Sequence, residues 1–545
     1  MNGTRRAVVL GWCLAVGAAG ARAAEPPLLV TVTPWGPSTE VVEAARRGVL
    51  TSLDVRRVVG KADVAMVSFE LVEARQAPGR PTIPPNAYRA LLVDYTRNRA
   101  YEVTGALRGG RPRIELTDEQ PEPDDDERSR ALAIVTRDPE LGPAILAGRL
   151  LPYPPMPPLV DADFPVGAAP RTVALGLAAG APGAVHEIVG VDMINGKVVR
   201  YQRRAPVSSR AEGVVCGPPN ASQPTTSRGT AGQMTITITK GGQTIWSMLA
   251  IRPAVSSGTR ASGVELKDVF YRNKKVFARA HVPILNVHYD GDACGPYRDW
   301  QWQEGMFVAR GRDVVPGVRV GNGAPPESMV DNGSDNGNFR GLAIYVDDSS
   351  VHMVSEMQAG WYRYVSQWTF DSDGTIHPRF GFAGVSDSCI CNIHHHNAYW
   401  RFDFDVAGAA NNQIYEITGG TPVLQTAEFK HLRAPGRTWK VQSSSTGEAY
   451  TLVPGADDGI ADTYAKADAW GLVGKGAAEL DDGINCTTCA ASTIQIDTFI
   501  GPEALTASSD VVVWYGVHFD HDINDETLAE EPHHMLGPDL VPSGW

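Results

Sequence analysis

From about residue 231 to Trp545 the chain is a long succession of short runs rich in Val, Tyr, Phe and Trp, each broken by Gly, Asp or Asn. Such residues pack well on a pleated, half-buried surface, and the interrupting ones carry the backbone round tight turns. A texture of this kind, sustained this far, predicts a large all-β antiparallel sandwich over 231–545. At 545 residues the chain exceeds a single core, since domains run at ~150 residues each. The part before 231 reads differently. A helical pattern over 38–53 precedes strand-like runs at 64–73, 87–94 and 99–107, which predicts a small α+β module over 26–118. After an acidic, proline-bearing run, helical patterns at 129–137 and 140–147 precede strand signals at 171–177, 184–192 and 197–202. These predict a second α+β module over 128–205. Residues 203–230, rich in Ser, Pro, Gly and Thr, read as a linker or long loop.

Residues 1–23 have the form of a secretory signal peptide. Arg5 and Arg6 precede an apolar run over 7–19, and Ala21-Arg22-Ala23 supplies a small-residue cleavage site. The run is shorter than the ~20 apolar residues a spanning helix needs. A secreted or periplasmic protein is therefore expected. Its formal net charge is −13, and loss of Arg5, Arg6 and Arg22 makes it more acidic still. That balance disfavours nucleic acid and anionic membranes as partners and is compatible with cationic substrates. Of seven cysteines, Cys13 leaves with the signal. In an exported chain Cys216, Cys294, Cys389, Cys391, Cys486 and Cys489 imply disulfides whose pairing the sequence leaves open. Cys486-Thr-Thr-Cys489 has zinc-ribbon spacing, but no second CxxC completes such a site.

His394-His395-His396 opens a strand that reads Tyr399-Trp400-Arg401-Phe402-Asp403-Phe404-Asp405. Alternate residues of a strand share a face, so His394 and His396 can aim two imidazoles at one copper or zinc ion while His395 points away. Upstream, Gly360-Trp361-Tyr362-Arg363-Tyr364 leads through Trp368-Thr369-Phe370 to Asp373-Gly374-Thr375-Ile376, a hairpin signal. Tyr362 is therefore expected on the strand entering that turn. Downstream, Asp510 precedes a Val-rich strand ending Trp514-Tyr515-Gly516-Val517-His518-Phe519-Asp520-His521, which supplies a third histidine.

Together these motifs resemble the copper amine oxidases. Residues 263–283 look like the strand pair that opens the catalytic domain of that family, and the two N-terminal modules look like its small α+β domains. The resemblance implies that Tyr362 is converted to topaquinone by bound copper(II) and oxygen, with Tyr364 matching the second tyrosine of the family's Asn-Tyr-Asp/Glu-Tyr motif. Trp361 and Arg363 depart from that motif, replacing the asparagine and the acid. His394 and His396 match paired copper ligands. The third ligand is His518 or His521, and the spacing from Gly516 favours His518. Asp403, the Phe404 carbonyl, Asp405, Asp510 and the Val511 carbonyl match a peripheral calcium site, and hard oxygen donors of this kind suit that ion. Tyr297-Arg298-Asp299 resembles the family's Tyr-x-Asp, in which the tyrosine gates the substrate channel and the aspartate is the catalytic base. Glu304 is the reserve candidate for that base.

The implied activity is oxidative deamination of a primary amine to an aldehyde, with release of ammonia and hydrogen peroxide, by a covalent mechanism in two half-reactions. A homodimer is implied as well. Two other classes compete. One is an exported copper-binding or interaction protein on the same scaffold without quinone activity, to which Trp361 and Arg363 point. The other is a zinc hydrolase, which the absence of an HExxH or HxxEH pattern disfavours.

Overall fold

The computed structural model describes residues 26–73, 80–117, 123–153, 155, 171–179, 184, 187–200, 216–219, 223, 232–258, 260–289, 296–387, 389–459, 467–480, 496–521 and 535–545. The expected signal peptide over 1–23, most of residues 203–230, Cys294, Cys486, Cys489, His533 and His534 lie outside the described residues.

Two large sheets dominate, of ten and twelve strands among the described residues. The first has ten strands in the order Leu28–Trp35, Gln233–Lys240, Gln243–Ile251, Glu265–Tyr271, Lys274–Tyr289, His394–Phe404, Val511–His521, Ala469–Val473 and Phe429–His431, with Pro296–Arg298 paired alongside Lys274–Tyr289. The second has twelve, and its centre runs Leu342–Val346, Ser350–Ala359, Tyr362–Asp371, Ile376–Gly384, Asp539–Ser543, Ala449–Val453 and Arg437–Ser443. Among the described strands of these sheets, pairing is antiparallel except between Val318–Asn322 and Leu342–Val346. The inner faces meet through large aromatics, which the period-two pattern delivers to one side. Trp368 of the second sheet meets Trp400 of the first edge-on at 5.0 Å, and Phe370 meets Trp246 at 5.0 Å.

Among the described residues each N-terminal module sets two helices on a four-stranded sheet. In the first, Val42, Val49, Val55 and Val59 of the Thr39–Thr51 and Leu53–Val59 helices pack on Phe69, Tyr88, Leu92 and Val103. The predicted single helix over 38–53 is thus broken at Ser52, whose backbone leaves the helical region. In the second, the Asp125–Val135 helix is capped by the Asp124 carboxylate, which accepts from Glu127 N–H at 2.8 Å. Glu127 and Arg171, both buried, hold that helix to the sheet through bonds of 2.8 and 2.6 Å. Leu91 and Val93 of the first module share a hydrophobic cluster with Val173 and Val189 of the second.

One boundary is corrected. Leu28–Trp35 does not belong to the first module; it pairs along all eight of its residues with Gln233–Lys240 as an edge of the large sheet. A strand's partner is set by backbone pairing across space, which sequence neighbourhood does not fix. The segment near residue 216 is tied in as well, by a Cys216–Cys391 disulfide just ahead of the histidine strand. Cys389 is also disulfide-bonded.

Candidate metal and tyrosine site

Ser350–Ala359 and Tyr362–Asp371 are joined by Gly360 and Trp361, with Ala359 opposite Tyr362. Gly360 has φ +57°, the left-handed conformation that a two-residue turn with glycine in first place needs. This turn places Tyr362 at the very start of its strand. Period two then aligns Tyr362, Tyr364, Trp368 and Phe370 on the inner face.

The opposing sheet supplies the imidazoles. Tyr289, His394 and His521 stand in one rung across three neighbouring strands, followed two residues on by Val287, His396 and Phe519. Partners directly across a ladder point to the same face, so His394, His396 and His521 share the inner face with Tyr362. His394 is 4.5 Å from His521 and 5.1 Å from His396 between ring centroids. Tyr362 meets the His396 ring edge-on at 4.5 Å and lies 5.6 Å from His394. Phe382 closes the group, stacked on His396 at 3.7 Å.

The expectation for His518 is corrected. His518 pairs with Asn397, one residue out of phase with His396, and so faces the other side of the sheet. There its Nδ1 meets Asn397 Oδ1 at 2.6 Å and its Nε2 meets Asp468 Oδ1 at 3.0 Å. His395 also faces outward, bonded to Asp520 at 2.5 Å.

Hydrogen bonds orient the rings of the inner pair. His394 Nδ1 donates to the Asn392 carbonyl at 2.6 Å, which leaves its Nε2 as the lone-pair nitrogen. His396 Nδ1 lies 3.1 Å from the Tyr364 hydroxyl. With the proton assigned to that Nδ1, Tyr364 accepts from it, and the Tyr364 O–H donates to Asp299 Oδ2. Two oriented imidazoles and His521 on a buried face form a donor set that suits copper(II).

Asp299 is buried, and burial pushes its carboxyl up to about 7 although the Tyr364 bond and the Arg260 charge act the other way. Tyr297 lies on the Pro296–Arg298 strand with its backbone opposite Val287. Glu304 is not an alternative base, because its carboxylate is locked to Arg252 in a buried ion pair. Sequence reasoning missed Tyr289, whose hydroxyl lies 2.5 Å from that of Tyr362 and accepts from Trp361 Nε1 at 2.9 Å. Its place ends the 16-residue Lys274–Tyr289 strand; a tyrosine in register with His394 is visible only once the strands are paired.

The two motif departures have definite contacts. Trp361 is buried, its ring edge-on to Tyr153 of the second module at 5.4 Å. Arg363 faces away from Tyr362 and forms a fully buried pair with Asp335 at 2.6 and 2.8 Å. Its guanidinium also donates to the carbonyls of Tyr362 at 3.0 Å and Gly360 at 3.2 Å, which pins the turn.

At the far end of the same strand pair, Asp403, Asp405 and Asp510 bring carboxylate oxygens within 4.8 Å of one another. Phe404 and Val511 are partners in the ladder between them. Oδ1 of each aspartate is buried and makes no hydrogen bond, so a hard divalent cation fits this cage. Lys275 stands at its edge, 3.0 Å from both Asp405 and Asp268. Burial first, then the neighbouring aspartates, pushes Asp510 up to about 7, and Asp405 is raised mainly by burial.

No protein-family model and no curated protein matches the sequence. Solved structures do. A copper-containing benzylamine oxidase from Hansenula polymorpha superposes with a TM-score of 0.56 at 13% identity, over 94% of this chain and 98% of that one. Pichia pastoris lysyl oxidase gives 0.56 at 13% identity, over 96% and 92%, and an Aspergillus nidulans amine oxidase gives 0.55 at 12%, over 96% and 89%. Likeness at such identity is likeness of fold along nearly the whole chain. No helix among the described residues is long and apolar enough to cross a membrane.

Proposed function

We propose, from the copper amine oxidase fold that this chain has, that it oxidises primary amines to aldehydes with release of ammonia and hydrogen peroxide. In this reading His394, His396 and His521 hold copper(II), and Tyr362 is the precursor of topaquinone. The observation that carries it is the placement of Tyr362 against His396 at 4.5 Å on a buried face, with Asp299 linked to that imidazole through Tyr364. Copper with dioxygen supplies, when bound, the oxidation of the Tyr362 ring to the quinone and the later passage of substrate electrons to oxygen.

The remaining chemistry belongs to the chain's own side chains. Asp299, whose carboxyl burial pushes up to about 7, can take a proton from the carbon beside the substrate nitrogen, as a base for a carbon acid should. Tyr364 holds the Asp299 oxygen in place and connects it to His396. Tyr289 holds the Tyr362 oxygen. The low-dielectric aromatic surroundings of Phe382, Trp361 and Tyr364 keep bulk water from these groups and strengthen each bond. Asp403, Asp405 and Asp510, with the Phe404 and Val511 carbonyls, would hold calcium as a structural ion. Export by the signal peptide and a homodimeric assembly complete the proposal.

A second reading, a copper-binding scaffold without quinone activity, is favoured by Trp361 and Arg363, which stand where the family carries an asparagine and an acid. One experiment separates the two. Copper-loaded protein exposed to air is expected to be pink, with a visible band that shifts on adding phenylhydrazine, and Tyr362→Phe is expected to bind copper yet stay colourless and inactive. A colourless wild type that binds copper supports the scaffold, and activity in Tyr362→Phe removes the quinone assignment.

A further inference from the structure

We infer that Trp361 is a positioning residue for Tyr362, acting through Tyr289: its indole N–H holds in place the Tyr289 hydroxyl that is hydrogen-bonded to that of Tyr362. The inference rests on the reading of Tyr362 as the redox tyrosine and goes beyond it, since it assigns a role to a residue at which the chain departs from the family motif.

The argument is one of donors and acceptors. An indole N–H can only donate, whereas a phenolic hydroxyl has one proton to give and lone pairs to receive. Trp361 Nε1 lies 2.9 Å from the Tyr289 oxygen, so that oxygen accepts. The Tyr362 oxygen stands 2.5 Å from that same oxygen, within the range of an O–H···O bond. A hydroxyl oxygen that accepts an N–H is a better donor of its own proton, so Trp361, Tyr289 and Tyr362 form one polarised chain. Donors aimed in advance at an oxygen where negative charge develops are the arrangement that lowers barriers in dry sites.

Local structure explains why a tryptophan can do this. Trp361 is the second residue of the two-residue turn, so its side chain leaves the sheet beside Tyr362 without occupying a strand position. Its carbonyl accepts from Val385 N–H at 2.8 Å and its ring meets Tyr153 edge-on, which fixes the indole from two sides. An asparagine amide at this position would also offer an N–H. The donor is kept while the side chain changes. A packing role alone would be filled by any large apolar ring; the indole nitrogen on a hydroxyl is the additional feature.

Phenylalanine at 361 keeps a ring against Tyr153 and removes the donor. Metal-free wild type, Trp361→Phe, Tyr289→Phe and the double variant are each given copper(II) in air, and both copper content and growth of the visible quinone band are followed. All four are expected to take up copper alike. Trp361→Phe and Tyr289→Phe should form the band at least about tenfold more slowly, a smaller loss than the ~100-fold or more seen when one preorganised oxyanion donor is removed. The double variant should be no slower than Tyr289→Phe, because the indole works through that hydroxyl. Band growth in Trp361→Phe at the wild-type rate, or deficits that multiply in the double variant, overturns the inference.

A second readout holds even if the wild type forms no quinone, an outcome that would sink the redox reading by itself. In the metal-free protein, the ultraviolet resonance Raman difference between wild type and Trp361→Phe isolates this indole, and its N–H mode is expected to report a hydrogen bond that Tyr289→Phe abolishes. An N–H mode indifferent to Tyr289→Phe overturns the relay.

Discussion

His518 and His521 differ by three residues, an odd number, and that parity decides which can join His394 and His396. His521→Ala is expected to lose copper binding, whereas His518→Ala should retain it and instead disturb the Asn397 and Asp468 contacts on the outer face. Elemental analysis of the two purified variants settles it; copper lost only from His518→Ala would place the metal on the other face of the sheet. Asp299 gives the second prediction at this scale. Its carboxyl is held near 7 chiefly by burial, and a base acts only when deprotonated. The rate of substrate-dependent bleaching under nitrogen should therefore rise with pH through about 7 and level off above it. Asp299→Asn should form the quinone normally and lose ~100-fold or more of this rate, as removal of a positioned base does. A pH-independent rate, or an undiminished one in Asp299→Asn, would remove Asp299 from the mechanism.

At the scale of the element, the strand that carries Tyr362 is held from both faces, and the outer face depends on Arg363. Arg363 and Asp335 are both fully buried and bonded twice to each other. Removing one partner of such a pair leaves an uncompensated buried charge and costs roughly 3–5 kcal/mol, while replacing both by apolar residues of similar volume costs much less. Arg363→Met is therefore expected to lower the denaturation midpoint sharply, and Arg363→Met with Asp335→Leu to recover most of the loss; equal losses in the single and double variants would make the bond to the Tyr362 carbonyl the important one. Elements also mark what the sequence could and could not convey. The alternation of His394, His396, Trp400, Phe402 and Phe404 made one face of that strand legible directly. The Val511–His521 strand is buried on both faces along nearly all its length, so its own pattern carries no parity. Register with His394–Phe404 had to come from the paired backbone, and with it came His521. Tyr289 was hidden for the same reason. Asp335, a loop aspartate, gave no sign of Arg363 because their pairing depends on how the turn folds back over the sheet.

For the whole molecule, the paired strands His394–Phe404 and Val511–His521 form a beam with one candidate ion at each end. His394 lies opposite His521 at one end and Phe404 opposite Val511 at the other. Each strand has eleven residues, and at ~3.3 Å per residue the ends are roughly 30 Å apart. Over that distance a unit charge in the aspartate cage acts on the tyrosine site by only ~0.5 kcal/mol at an effective dielectric of ~20. The cage therefore acts on the fold, and its pH dependence has a definite sign. Asp405 and Asp510 have folded-state values raised above the usual carboxylate range, to about 7 for Asp510. In the unfolded chain these groups ionise near 4. Between those limits the folded state binds more protons, so in metal-free protein their contribution to stability falls as pH rises from about 4 to about 7. A divalent cation replaces the missing protons, and its stabilisation should grow over the same window because binding favours the folded state by mass action. Melting in chelator should then show a midpoint that falls between pH 5 and 7, and calcium should raise the midpoint more at pH 7 than at pH 5. Copper content and the visible band should be unchanged below the melting range. Asp510→Asn should weaken the calcium response and flatten the chelator profile. A calcium-induced shift equal at both pH values, or one retained in Asp510→Asn, would assign the ion to other ligands.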